Sequence, residues 1–107
     1  MDHPGSRLTL RELARVVRSK NAGPTLLTLD LFLRDAQAYE RAAASPALSA
    51  ESVARCYGVA PASVQRYLLP ALQAIKFSLP RRVVAGEPGD GDLYGAQQHA
   101  PLLELSL

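Results

Sequence analysis

One run of nine residues, Thr25–Leu33, constrains the fold of this chain more than any other segment. Leucines alternate onto one side of it, at Leu27, Leu29, Leu31 and Leu33. Thr28, Asp30 and Phe32 fall on the other side. This alternation predicts a strand with one face in the core, and the high apolar content favours a central place in a sheet. Asp30 is then expected near a sheet edge or facing a site, and a solvated or paired carboxylate is the simpler interpretation.

The segment before this run carries the first candidate ligand site. Gly23 tolerates a positive φ, and Pro24 fixes φ and removes a hydrogen-bond donor, so the chain is expected to turn. Such a turn points several backbone N–H groups in one direction, which favours a phosphate or a carboxylate. The predicted anion-binding residues are Arg18, Ser19, Lys20, Asn21 and Gly23.

Two helices are predicted after the strand, over residues 35–44 and 49–57. Asp35 and Ser49 have side chains that cap helix N-termini. Gly58 suits the position after a helix C-terminus, where a left-handed residue is common. The residues expected on the buried sides of these helices are Tyr39, Val53 and Cys56.

The ends of the chain are less regular. The sequence predicts a flexible N-terminus for residues 1–6 and a single domain for residues 7–107. Between Leu8 and Arg18, the spacing of Thr9 and Glu12 favours a capped helical turn, whereas the neighbouring valines would serve equally well at the end of a strand. Residues 102–107 predict a last strand.

After Gly58 the pattern has two interpretations. Residues 61–69 form a third short helix that ends before Pro70, or residues 64–69 form a strand followed by a turn at 70–72. Residues 74–79 alternate in polarity and predict a strand in either case.

The helical alternative would complete a helix-turn-helix over residues 50–69. The residues that fit its pattern are Val53, Ala54, Gly58, Val59 and Val64. Arg55 and Arg66 would contact phosphates, and Gln65 a base. The formal net charge of +2 is small for a protein that neutralises several phosphates, so nucleic acid binding is the less favoured hypothesis.

Composition excludes further classes. A single cysteine leaves no disulfide framework, and no apolar run is long enough to span a membrane, so the expected location is the cytoplasm. No second histidine lies at ligand spacing from His99, and neither a metal nor another cofactor is predicted.

A second polar group precedes the last apolar segment. Gln97, Gln98 and His99 occupy successive positions, and His99 is a candidate general acid or base because imidazole titrates near neutral pH. The structural alternative is a loop held by side-chain hydrogen bonds to the backbone. If Lys76 faces the same crevice as Lys20 and His99, the three would form a pocket for a carboxylate or acyl phosphate.

Three segments, 18–24, 74–76 and 92–103, resemble the signature of the small bacterial proteins of the domain of unknown function 4387 family. The resemblance extends from about Leu8 to Leu107. More weakly, the order of segments is similar to the C-terminal ferredoxin-like domain of acyclic terpene utilisation protein A. The matching residues are Arg18, Ser19, Gly23, Tyr67, Leu69, Pro70 and 75–79. Where that domain carries an acid and a lysine in its turn, this chain has Lys20 and Asn21.

These resemblances imply a fold and a function. They imply a single α+β domain, ferredoxin-like, with an antiparallel sheet and helices on one face, and they favour the strand for residues 64–69. The implied function is an accessory subunit beside a larger acyclic terpene utilisation-like partner, in the catabolism of organic acids or acyl-CoA. Lys20, Asn21 and Gly23 would bind the anionic group, and the 97–99 segment would orient or protonate the substrate. The alternatives are a stand-alone lyase or isomerase that uses His99, a DNA-binding regulator and, for assembly, a homo-oligomer.

Overall fold

The computed structural model of the chain describes residues 8–23, 25–80 and 100–107. Its helices are α1 (Leu10–Leu13), α2 (Ala36–Ala44), α3 (Ala50–Tyr57) and α4 (Ala100–Leu103). Its strands are β1 (Ala14–Asn21), β2 (Leu26–Leu33), β3 (Gln65–Leu69) and β4 (Ala74–Pro80). Short 3-10 turns occupy Pro46–Leu48, Pro61–Ser63 and Pro70–Leu72. In the part of the chain described, no helix is long and apolar enough to cross a membrane.

The four strands form one antiparallel sheet in the order β1-β2-β4-β3. Two hairpins, β1-β2 and β3-β4, lie side by side, and the helices α2 and α3 connect them in the chain. The central strands are therefore β2 and β4, as the apolar content of β2 predicts. β1 and β3 form the two edges.

The core lies between the sheet and the helices. Every second residue of β2, from Leu27 to Leu33, is at most 1% exposed. The same side of β4 contributes Ile75, Phe77 and Leu79. Because the helices contribute their own buried residues to this cluster, all of them cover the same face of the sheet.

The two predicted central helices are confirmed together with their caps. The Asp35 side chain accepts a hydrogen bond from the N–H of Ala38, and the Ser49 side chain accepts one from Ser52. Gly58 ends α3 in the left-handed region, at φ 68°. Tyr39 and Val53 are buried, as predicted.

The prediction that Cys56 faces inward is wrong, because its side chain is exposed. The stripe of α3 that packs against the core consists of Ala50, Val53, Ala54 and Tyr57. These positions follow helical spacing, and Cys56 falls outside the stripe.

At the N-terminus both alternatives are present, a helical turn first and then a strand. Glu12 closes the turn of α1, since its carboxylate accepts hydrogen bonds from the Thr9 N–H at 2.8 Å and from the Thr9 hydroxyl at 3.1 Å. These bonds favour the ionised form and hold the pKa of Glu12 below its ordinary value.

After Gly58 the strand is the correct alternative. A 3-10 turn precedes β3, and β3 pairs with β4, so the second helix of a helix-turn-helix does not form. The predicted last strand over 102–107 is wrong. Leu102 is fully buried in the short helix α4, and only Ser106 forms a bridge, with Thr9.

The structure thus confirms an α+β domain with an antiparallel sheet and helices on one face. This layering is consistent with a ferredoxin-like domain. The ferredoxin-like connectivity, strand–helix–strand–strand–helix–strand, is not confirmed, because the described strands run as hairpin, helix pair, hairpin.

Candidate functional site

The sheet face opposite the helices carries most of the polar side chains of the strands. We call it the open face. Its residues are Val16, Arg18, Lys20, Leu26, Thr28, Asp30, Phe32, Gln65, Tyr67, Leu69, Ala74, Lys76, Ser78 and Pro80. Because residues directly opposite each other in a sheet share a face, the strand register arranges these side chains in rows.

The middle row of the open face is charged. Arg18 lies opposite Asp30, Asp30 opposite Lys76, and Lys76 opposite Tyr67. The Arg18 Nε lies 3.3 Å from a carboxylate oxygen of Asp30, whose side chain is only 13% exposed. One acid on a central strand therefore lies between two cations.

The next row adds a cation and two hydroxyls. Lys20 lies opposite Thr28, Thr28 opposite Ser78, and Ser78 opposite Gln65. The Thr28 hydroxyl donates to the carbonyl of Lys20 at 3.4 Å, and the Tyr67 hydroxyl donates to the Gln65 side-chain oxygen.

A shallow depression of about 390 Å³ lies where these two rows meet. It is lined by Thr28, Tyr67, Leu69, Lys76 and Ser78. An ammonium group, hydroxyls and apolar carbon atoms thus surround one volume. Such a mixture suits a carboxylate or phosphate attached to a short apolar chain.

The third row is apolar and is covered in part by arginines. Phe32 lies opposite Val16 and Ala74. The guanidinium carbons of Arg15 and Arg18 lie 5.8 and 5.2 Å from the centre of the Phe32 ring, within the range of cation–π attraction. Phe32 therefore holds both arginines on the open face.

The open face has an excess of positive charge. Arg15, Arg18, Lys20 and Lys76 stand against Asp30, which gives a net charge of +3. The ammonium groups of Lys20 and Lys76 make no hydrogen bond or ion pair with any residue of 8–23, 25–80 or 100–107. Among the described residues, these two cations have no anionic partner.

A comparison of the sequence with protein-family models identifies the family of this chain. A family described as a domain of unknown function, DUF4387, matches residues 10–106. The chain belongs to that family. Neither the curated proteins nor the solved structures contain a match to the chain. Family membership therefore brings no established activity, and the site of this DUF4387 chain must be judged from its own residues.

In this DUF4387 domain the predicted anion-binding residues do not all lie on one side of the sheet. Residues 18–21 belong to β1, and the turn begins only at Ala22. Because side chains alternate along a strand, Arg18 and Lys20 lie on the open face whereas Ser19 and Asn21 lie on the covered side. Gly23 has the expected positive φ, 109°. The four strand residues of the predicted set are thus divided between two faces, and Gly23 lies in the turn.

The structure places Lys76 on the same face of the sheet as Arg18 and Lys20. Its backbone lies two strands from Arg18, roughly 10 Å away at the usual strand spacing. The other predicted residues, Gln97, Gln98 and His99, lie outside the described residues. Their roles stay predictions.

Several residues of the open face were missed by the sequence analysis. Thr28, Tyr67 and Ser78 line the depression together with Lys76. The alternation of β2 already placed Thr28 opposite the leucines, so that residue could have been found. The alternation of residues 74–79 likewise placed Ser78 on the side of Lys76. Tyr67 could not be found, because its position depends on the pairing of β3 with β4.

Arg66, a phosphate contact in the helix-turn-helix hypothesis, binds backbone carbonyls of the chain itself. Arg66 donates to the backbone carbonyls of Leu48 at 2.9 Å and Ala43 at 2.8 Å. Its guanidinium therefore holds β3 against the helices and is not directed at an external phosphate.

Two further observations concern groups away from the open face. Desolvation, with a smaller effect of Cys56, raises the pKa of the Tyr57 hydroxyl above its ordinary value. No group of three or more His, Cys, Asp or Glu residues that could hold a metal ion occurs within the described segments.

Proposed function

We propose that this chain is a small accessory subunit that completes a site for an anionic organic group on a larger partner. The observation that supports this proposal is the arrangement of three cations. Arg18 and Lys20 of β1 share the open face with Lys76, which is more than fifty residues away in the sequence. The ligand class is an anionic organic group, either the carboxylate of an organic acid or the phosphates of an acyl-CoA.

The role of each cation follows from its contacts. Arg18 is held by Asp30 and by the Phe32 ring, so it is a fixed part of the surface. Lys76 lines the depression together with the Ser78 hydroxyl, and both can donate to an oxygen anion there. Lys20, one row away, adds positive charge at the rim.

The need for a partner follows from the shape of the site. The depression is open to water, and charge pairs in such a place are weak because water screens them. A second protein surface that covers the open face would exclude water and strengthen each contact with the anion. Exposed apolar side chains that could contact such a surface, Val16, Leu26 and Leu69, surround the cations.

The identity of the partner rests on resemblance. We propose a larger acyclic terpene utilisation-like subunit and a role in the catabolism of organic acids or acyl-CoA. The surface of that subunit which meets the open face is expected to be acidic or to hold the anion itself, since the open face carries net positive charge.

The experiment uses co-expression with the genomic neighbour of this type. Light scattering shows whether a hetero-complex forms, and calorimetry with acetyl-CoA and succinate measures anion binding by the chain alone and by the pair. We expect a complex, and anion binding that is tighter in the pair.

The decisive variant is Lys20→Ala/Lys76→Ala. We expect it to weaken binding of the anions at least about tenfold, with the fold unchanged. The matched control is Arg11→Ala/Arg55→Ala, which removes two exposed cations outside the open face and should leave binding as it is. Equal losses in both variants, or no complex and no anion binding, would overturn the proposal.

A further inference from the structure

The outer edge of β3 is exposed and apolar. Large apolar side chains with substantial exposure cluster on β3 and the 3-10 turn that follows it, at Tyr67, Leu68, Leu69 and Leu72. β3 pairs with β4 on one side. None of the backbone hydrogen bonds found among the described residues outside the sheet involves 65–69. Within the described part of the chain, the outward N–H and C=O groups of this strand therefore have no backbone partner, and such an edge can pair with another strand.

The other edge strand, β1, is protected in ways that proteins commonly use against edge pairing. It carries Arg15, Arg18 and Lys20, and its register shifts between Ala14 and Val16 in a bulge-like irregularity. Charged side chains and bulges both discourage the addition of another strand. The described pairing of β3 with β4 has a regular register and no bulge.

The positive charge of β3 lies away from its exposed edge. Arg66 is the one charged residue of the strand, and its guanidinium is bound to the carbonyls of Ala43 and Leu48. A β3 edge can therefore approach a second β3 edge with little repulsion between charges. Two open faces, by contrast, would repel each other because each carries a net charge of +3.

We infer that β3 pairs antiparallel with β3 of a second copy of this chain. Full overlap of residues 65–69 places the two-fold axis at Tyr67, so that Tyr67 lies opposite its own equivalent. Leu69 then lies opposite Gln65 of the second copy, and Leu68 opposite Arg66. An antiparallel strand edge fits itself under a two-fold rotation, which makes a second copy the simplest occupant.

This pairing gives a continuous eight-stranded sheet. Since the two-fold axis is perpendicular to the sheet, the helices of both copies lie on one side and both open faces lie on the other. The dimer leaves the cations of the open face uncovered, so the inference does not require the proposed function, although Tyr67 and Leu69 of the paired edge also line the depression. A partner would then meet two equivalent sites on one surface.

Light scattering of the purified chain tests the inference first. We expect a mass twice the 11.5 kDa of one chain. Leu68→Lys puts a charged side chain of each copy on the paired β3 edges, where charge discourages strand addition, and should give a monomer. The control Leu26→Lys changes an apolar residue of similar exposure, 37% against 45%, away from this edge, and should remain dimeric. A monomeric unmodified chain, or dimers of both variants, would overturn the inference.

A disulfide test covers the case in which Leu68→Lys does not fold. In a Cys56→Ser background, Tyr67→Cys should form an intermolecular disulfide on mild oxidation, because opposite Cα atoms lie roughly 4.5–5.5 Å apart in an antiparallel pair. Leu26→Cys in the same background should remain a monomer on a non-reducing gel. Equal cross-linking of the two variants would exclude the proposed register, and so would a Tyr67→Cys variant that is dimeric by light scattering but forms no disulfide.

Discussion

The two faces of β2 differ although they belong to one strand. On the covered face Leu27, Leu29, Leu31 and Leu33 are packed out of contact with water. On the open face Thr28, Asp30 and Phe32 alternate with them and contact cations or hydroxyl-bearing neighbours. Successive residues therefore serve different purposes, because side chains of a strand point alternately to opposite sides.

The covered face is expected to determine stability, and the open face is expected to determine binding. The covered face stabilises the domain by removing apolar surface from water. Most charges of the open face remain near water, Asp30 excepted, and their contribution to stability is small. Substitutions on the first face should change the free energy of unfolding, and substitutions on the second should change binding.

The largest expected effect is that of Leu29→Ala on the covered face. Leu29 is fully buried at the centre of the sheet, so its truncation should lower the free energy of unfolding by about 2–5 kcal/mol. The control Leu26→Ala, on the same strand at a partly exposed position, should cost less than about 1 kcal/mol. Chemical denaturation measures both values, and equal losses would contradict the division into two faces.

An intermediate effect is expected for Arg66→Ala. Arg66 is a cation that binds backbone carbonyls on the covered side of the sheet. Its removal leaves the carbonyls of Ala43 and Leu48 without their donor, and the free energy of unfolding should fall by about 1–3 kcal/mol. Arg11→Ala removes an exposed ion pair with Glu104 and should cost at most about 1 kcal/mol. If Arg11→Ala lowered the free energy of unfolding as much as Arg66→Ala does, exposure would not determine how much stability the loss of an arginine removes.

The smallest effect on stability is expected for Asp30→Asn on the open face. It removes the ion pair with Arg18 but keeps the side-chain volume. Because the Arg18 side chain is 60% exposed, the free energy of unfolding should change by less than about 1 kcal/mol. It also raises the net charge of the open face, so succinate should bind about two- to tenfold more tightly to the complex. Thermal melting and calorimetry measure the two quantities, and weaker anion binding would show that Asp30 has another role.

Local signals in the sequence predicted much of this fold. Asp35, Ser49 and Gly58 mark helix ends correctly, because each acts through hydrogen bonds or backbone conformation within a few residues. The last strand was predicted incorrectly. An apolar run such as 102–107 has the same local pattern whether it pairs in a sheet or packs as a helical turn, and burial of Leu102 against the core decides between them.

The candidate site was predictable only in part. The sequence pointed to Arg18, Lys20 and Lys76, but it grouped the first two with Ser19 and Asn21, which the strand turns to the opposite face. Neighbours in sequence are separated here by about one strand thickness, whereas Lys76 joins the cations of β1 from more than fifty residues away.

The sequence by itself determined the alternation of β2, the ends of α2 and α3, and hence which side of the sheet is covered. These properties depend on periodicity and on contacts within one or two turns of chain. Only the tertiary structure decided that β4 lies between β2 and β3, and with it the row of Arg18, Asp30, Lys76 and Tyr67. The physical reason is that strand order and register arise from packing between distant segments, which no local pattern encodes.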